Sequence, residues 1–193
     1  MLSGKSVKSK IIATAWELFY EKGYTETTVD EIIEQSGTSK GSFYYYFHTK
    51  DELLNSLSEV FDEFYAELDA QMDDDMSSFD KLLFLDYEAH KLVEEKINID
   101  ILSSLYSTQL VSTGNRHLLD YTRTYYTLIT RIISEGQRRS EIITDMQPHE
   151  ITNYYAMCER ALVTEWCLNK GTYSLADFSK KYMPIMLEHF RAM

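Results

Sequence analysis

The chain has 193 residues, a formal net charge of −12, 44% apolar and 26% charged side chains, two prolines and seven glycines. This composition supports a packed core, excludes wholesale disorder and collagen-like repeats, and weighs against a turn-dense all-β fold. No apolar run reaches the roughly 18 residues of a membrane span, the basic start MLSGKSVKSK leads into no signal-peptide core, and Cys158 and Cys167 are too few for a disulfide framework, so a cytoplasmic protein without membrane association is expected.

The apolar periodicity is helical throughout. Ile11, Ile12, Ala15, Leu18 and Phe19 make one helical face that stops at Gly23. Thr28 to Glu31 reads as a capping box, with Val29, Ile32 and Ile33 behind it, and Gly37 ends this second helix. Ser39 caps a third helix from Lys40 to about Phe47. Thr49 to Glu52 reads as another capping box opening a long helix, with Leu53, Leu54, Leu57, Val60, Phe61, Phe64 and Leu68 inward. Asp73 to Asp75 is an acidic break, and Ser77 starts a helix that runs to about Val93. Further helices are predicted over 97–112, 115–139, 148–169 and 175–191. Pro148 falls in a first turn, where it is tolerated, while Pro184 should kink or split the last helix. No period-2 strand and no repeat is evident.

The charge is uneven. Residues 1–50 hold six Lys and six acids and are neutral, with three Lys and no acid in the first ten, so the remainder carries the whole −12. A neutral head with a basic arm and an acidic body hints at a nucleic-acid surface at one end. Two short helices joined by Ser36, Gly37 and Thr38 fit a helix-turn-helix, since glycine suits the positive φ of a sharp turn. Such a turn exposes Thr38, Ser39, Lys40, Ser42, Tyr44, Tyr45 and Tyr46 for a major groove, with Phe43 and Phe47 as anchors. Spacing alone also fits a helical hairpin of any all-α protein.

Residue identity narrows this choice. A-x-x-L-F-x-x-x-G-Y from Ala15 to Tyr24, T-T-V-D-E-I-I-x-x-S-G from Thr27 to Gly37, S-K-G-S-F-Y-Y-Y-F from Ser39 to Phe47 and T-K-D-E-L-L from Thr49 to Leu54 resemble the DNA-binding domain of the TetR family of bacterial repressors. The resemblance covers about the first 55 residues. It implies an all-α homodimer with a three-helix DNA-binding domain over 1–50 and a larger helical ligand-binding and dimerisation domain over 51–193. It implies a pseudo-palindromic double-stranded operator and release by a small-molecule effector, with no catalysis needed; the residues themselves present neither a metal nor a cofactor motif. Carried over, Thr27 and Thr28 would reach phosphate, and Thr38, Ser39, Lys40 and Ser42 would face the groove. Tyr44, Tyr45 and Tyr46 would meet phosphate or thymine methyls, and His48 and Lys50 would grip the backbone. One departure stands out: residues 1–50 contain no Arg. Few neutralised phosphates imply a shallow salt dependence, a log–log slope of roughly −3 to −6 per dimer.

In the acidic body, Tyr87, Tyr106, Tyr125, Tyr126, Tyr154, Met157 and Trp166 are candidates to line an effector cavity, or else plain core. Asp86, Glu88, Asp100 and Glu159 favour a cationic or neutral aromatic effector over an anion. The dimer is expected as a four-helix bundle of the last two helices of each chain, through Ala161, Leu162, Glu165, Trp166, Met183, Met186, Leu187 and Phe190. His90 and Glu94, four apart, read as a surface pair rather than metal ligands. The rival readings are a helical ligand-binding or scaffold protein that no longer binds DNA, and an all-α enzyme, for which no catalytic motif is present.

Overall fold

A computed structural model describes residues 6–111 and 117–192. Among them the helices are α1 (Val7–Lys22), α2 (Val29–Ser36), α3 (Lys40–Tyr46), α4 (Asp51–Leu54), α5 (Ser56–Gln71), α6 (Ser78–Lys96), α7 (Ile99–Val111), α8 (Thr124–Arg138), α9 (Pro148–Leu168) and α10 (Leu175–Leu187), with 3-10 turns at His117–Leu119 and Glu188–Phe190. The described residues contain no strand, only an isolated antiparallel bridge between Ile142 and Arg191. The chain is all-α, as expected.

Contacts divide it into two compact units, Met1–Glu59 with Asn98–His117, and Val60–Ile97 with Leu118–Met193. The expected division at residue 50 therefore falls inside the first unit, which also takes α7.

In the first unit the local caps form largely where the residues place them. The Ser6, Thr28 and Ser39 side chains each accept the backbone N–H three residues on, and Glu31 returns to the Thr28 N–H to complete the capping box. Ile11, Ala15, Leu18 and Phe19 of α1 are buried, as are Ile32, Phe43, Leu53 and Leu54. The Thr49 box does not form. Lys50 is the helical cap without a side-chain bond, and Glu52 instead accepts the His48 N–H. The expected long helix is in two pieces around Asn55, whose carbonyl is taken by the Ser58 hydroxyl. Val60, expected inward, is 52% exposed.

In the second unit α6 packs on α8 and α10, and α9 on α8 and α10, around Phe79, Leu82, Leu85, Ile129, Ile132, Tyr155 and Met183. α8 begins at Thr124 rather than near 115, because Asp120 takes the N–H and hydroxyl of Thr122 in a side-chain turn that competes with the helix. Gly136 accepts the Glu141 and Ile142 N–H groups and lets Ile142 approach α8. α10 runs through Pro184 without splitting, then tightens into the 3-10 turn by which Phe190 accepts the Ile143 N–H.

Candidate functional site

The DNA-facing candidate is built on α2 and α3. Gly37 sits at φ 61° and ψ 30°, the left-handed region that glycine enters without strain. Its N–H and that of Thr38 bond the end of α2, at Glu34 and Ile33. The chain then turns into α3, which Phe43 (0% exposed) and Phe47 hold to the core. On the other side Tyr44, Tyr45 and Tyr46 are exposed, Tyr45 by 79%. Tyr44 meets Phe43 edge-on, and Tyr45 meets Tyr46 with ring centroids 4.8 Å apart. Ser39 and Ser42 share a hydroxyl hydrogen bond of 2.9 Å, and Thr38 shares one of 2.8 Å with Ser36. Lys40 is exposed and pairs with Asp30 at 2.9 Å. That pair is fully in solvent, so an incoming phosphate or guanine competes for the ammonium at little cost.

Three assignments in this region need correction. Thr27 is buried and donates its hydroxyl to the Gly23 carbonyl at 2.9 Å, so it holds the α1–α2 turn instead of reaching phosphate. The N–H and hydroxyl of Thr28 both bond the Glu31 carboxylate, which lies where phosphate was expected. Lys22 and Thr28 together hold the Glu31 carboxyl down to about 2. Lys50 is a clip rather than a backbone grip. Its ammonium donates to the Tyr24 and Thr27 carbonyls at 2.7 and 2.8 Å and stands 4.2 Å over the Tyr24 ring. Burial pushes its pKa down. His48 keeps an exposed side chain, as does the arm at Lys8 and Lys10, while Lys5 lies outside the described residues.

The second unit has an open groove of about 700 Å³ between α8 and the start of α9, lined by Thr130, Arg131, Ser134, His149, Thr152 and Asn153 with Tyr121 and Tyr126 at one end. Of the seven cavity candidates, Tyr126 is the one that lines it. Tyr106 belongs to the first unit. Tyr87 is half-buried beneath Lys180, and Tyr125 is buried with its hydroxyl on Glu159. Tyr154 and Met157 are exposed, and Trp166 is core, its indole N–H donating to the Tyr173 carbonyl at 2.8 Å. The carboxylates do not assemble as a lining for a cation. Asp86 is buried against His90, Glu159 is held by Tyr125, and Asp100 is exposed on the first unit. The His90 and Glu94 surface pair also fails. His90 is buried, and Glu94 caps α10 through Ser174 and the Ala176 N–H.

The dimer residues are corrected too. Leu162, Trp166, Met183, Leu187 and Phe190 are all buried within their own chain, at 0 to 5% exposure, and leave almost no surface for a partner. Met186 is half-buried, and Ala161 and Glu165 are exposed. The exposed apolar stripe of α9 is a different one: Tyr154, Met157, Ala161 and Leu168, with Ile185 exposed on α10. Periodicity fits both stripes, because α9 is apolar on two faces.

This arrangement has known counterparts. The family model described as bacterial regulatory proteins, tetR family, matches residues 11–57, and the one described as YsiA-like protein, C-terminal region, matches residues 57–189. The fatty acid metabolism regulator protein of Bacillus subtilis is 23% identical over 179 residues, 92% of each chain. Thermus thermophilus FadR, a TetR family repressor solved with lauroyl-CoA, superposes with a TM-score of 0.81 at 19% identity, over 95% of this chain and 94% of that one. FadR from Bacillus subtilis, solved with stearoyl-CoA, gives 0.62 at 20% identity over 92% and 96%. With both regions matched along nearly its whole length and a helix-turn-helix that presents its polar face, the chain belongs to the tetR family of bacterial regulatory proteins and is a ligand-responsive, DNA-binding transcriptional regulator.

Proposed function

We propose that the protein acts in the cytoplasm as a homodimeric repressor that reads a pseudo-palindromic duplex through α3 and leaves it when a long-chain acyl thioester binds. The reading involves no catalytic step, metal or cofactor. The observation that carries it is the outward face of α3. Tyr44, Tyr45, Tyr46 and Lys40 are exposed beside Ser39 and Ser42 on a helix fixed by buried Phe43 and Phe47. Two such heads about 34–36 Å apart meet successive major grooves, and a second copy docked on Tyr154, Met157, Ala161, Leu168 and Ile185 provides the pair. The effector class rests on the relatives' acyl-CoA ligands together with the YsiA-like region over 57–189. Asp86 packs against His90 and Glu159 takes the Tyr125 hydroxyl, so neither carboxylate lines the groove to favour a cation.

The test is a footprint on the DNA flanking the gene at low and moderate salt, followed by titration with lauroyl-CoA, stearoyl-CoA, laurate and free CoA. A protected pseudo-palindrome released by the two thioesters supports the reading. Protection that only laurate or an unrelated amphiphile relieves refutes the effector class. No protection of any duplex by a folded dimer, even after selection from random sequence, refutes the repressor and favours the DNA-incompetent ligand binder.

A further inference from the structure

One group of ionisable side chains in the second unit lies outside both the groove and the DNA-facing helices. Asp86 and His90 stand one turn apart on α6, 1% and 3% exposed, with Oδ1 and Nδ1 3.1 Å apart. From α9, Glu159 brings a second carboxylate, which takes the hydroxyl of Tyr125 on α8. Asp86 Oδ1, His90 Nδ1 and Glu159 Oε1 are all buried without a directed hydrogen bond. The inventory does not balance: two carboxylates face one imidazole. With the imidazole protonated and both acids ionised, one negative charge stays uncompensated in the interior. Burial makes such a charge costly, and the usual resolution is to bind a proton.

We propose that the Asp86, His90 and Glu159 cluster is a proton-binding site through which the stability of the second unit responds to pH in the neutral range. The groups that face Glu159 come from every helix around it. Asp86 and His90 lie on α6, Tyr125 and Tyr126 on α8, and Tyr155 and Cys158 on α9 itself, with Arg160 bonded to the Tyr126 hydroxyl and Tyr65 of α5 against the Tyr125 ring. Burial and then the Asp86 charge push the Glu159 carboxyl up to about 7, against which His90 and the Tyr125 and Tyr155 hydroxyls act. Burial opposes protonation of His90, but Asp86 and Glu159 outweigh it and hold the imidazole above its ordinary value. The two groups titrate as a pair, and the cluster as a whole takes up the proton. Both pKa values are raised on folding, so both shifts have the same sign. The stabilisation is complete below the unfolded values and is lost as pH rises through the folded ones.

The test compares thermal unfolding of the full-length protein and of Glu159→Gln between pH about 5.5 and about 8.5, the range spanned by these shifts. Glutamine keeps the shape and removes the proton site. The wild-type midpoint should fall as pH rises through neutrality. The variant's should fall less, and should equal or exceed the wild type at the alkaline end. Parallel curves overturn the proposal. If the variant does not fold, infrared spectroscopy of the wild type decides the matter. A C=O stretch from a protonated, water-shielded carboxyl should be present at the acidic end of the range and gone at the alkaline end. Its absence at the acidic end overturns the proposal.

Discussion

Helix α9 buries one apolar face and exposes another, and on the proposed reading the exposed face carries the dimer, which a pair of substitutions tests. Trp166 is 5% exposed and donates its indole N–H to the Tyr173 carbonyl at 2.8 Å. Trp166→Ala removes a buried aromatic at a cost of about 3–5 kcal/mol and orphans that carbonyl for about 1 kcal/mol more. Against a domain stability of roughly 5–15 kcal/mol, this is about a quarter or more of the total. The thermal midpoint should drop by about 10–20 °C for a chain of this size. Leu168, two residues on, is 73% exposed. Leu168→Asp, alone or with Met157→Glu, should change the stability of the protomer by no more than about 0.5 kcal/mol. In a two-fold interface each substitution counts twice, and an unpaired carboxylate buried there should weaken the dimer by about a hundredfold or more. Sedimentation equilibrium gives the dimer constant. Thermal unfolding over a dilution series separates protomer stability from the concentration dependence of dimerisation. A Trp166→Ala protein that melts normally but sediments as a monomer would put Trp166 on the subunit interface and refute this reasoning. A Met157→Glu, Leu168→Asp protein that stays dimeric would move the interface elsewhere.

Gly136→Ala should destabilise by about 1–3 kcal/mol although alanine is the better helix former by about 1 kcal/mol. Its Cβ would lie 2.6 and 2.8 Å from Ile142 Cδ1 and Cγ1 and 2.8 Å from Ser78 Cβ, and a raised urea midpoint would show that this corner can give. Lys40→Met should reduce the log–log salt slope of operator binding by about 1–2 per dimer, whereas Lys50→Met should lower stability and leave the slope unchanged; the reverse pattern would restore Lys50 to the DNA. Gly37→Ala forces a Cβ into φ 61° at a cost of about 1–2 kcal/mol, and should weaken operator binding by tilting α3; an unchanged footprint and melting curve would refute the strained-turn argument.

What the residues reveal on their own depends on how near their partners are. Caps at Thr28, Ser39 and Ser77 are decided within three residues, so they read correctly. Pro148 at the first turn of α9 and Gly37 at the end of α2 are equally local. The Thr49 box is just as local in sequence but loses to a rival in space. Glu52 finds the His48 N–H, and Lys50 is drawn to carbonyls 23 and 26 residues upstream. His90 has a carboxylate four residues away in each direction, Asp86 and Glu94, and periodicity cannot choose between them. Burial does, because Asp86 lies on the core face while Glu94 turns to the cap of α10. The same ambiguity hides which row of α9 is buried. Leu162 with Trp166 and Met157 with Leu168 form equally good apolar rows, and which row packs on its own chain is a tertiary fact.

The corrected chemistry of the head constrains how the regulator can work. Lys50 is committed to carbonyls, Thr27 to a turn, and the α2 terminus to Glu31. On the proposed reading, DNA meets the tyrosine row, the Ser39 and Ser42 hydroxyls, Lys40 and the basic arm. Binding by such a surface draws less on counterion release than a strongly basic head would, so it falls less steeply with salt and depends more on hydroxyl and aromatic contacts that work only at close range. A few ångströms of displacement abolish contacts of that kind, whereas a strongly basic head would retain long-range attraction to the duplex. An effector that changes the spacing of the two heads therefore needs only a small motion to release them. The net charge of −12, carried by the body, then opposes non-specific rebinding. A head without arginine is suited to a switch operated by geometry.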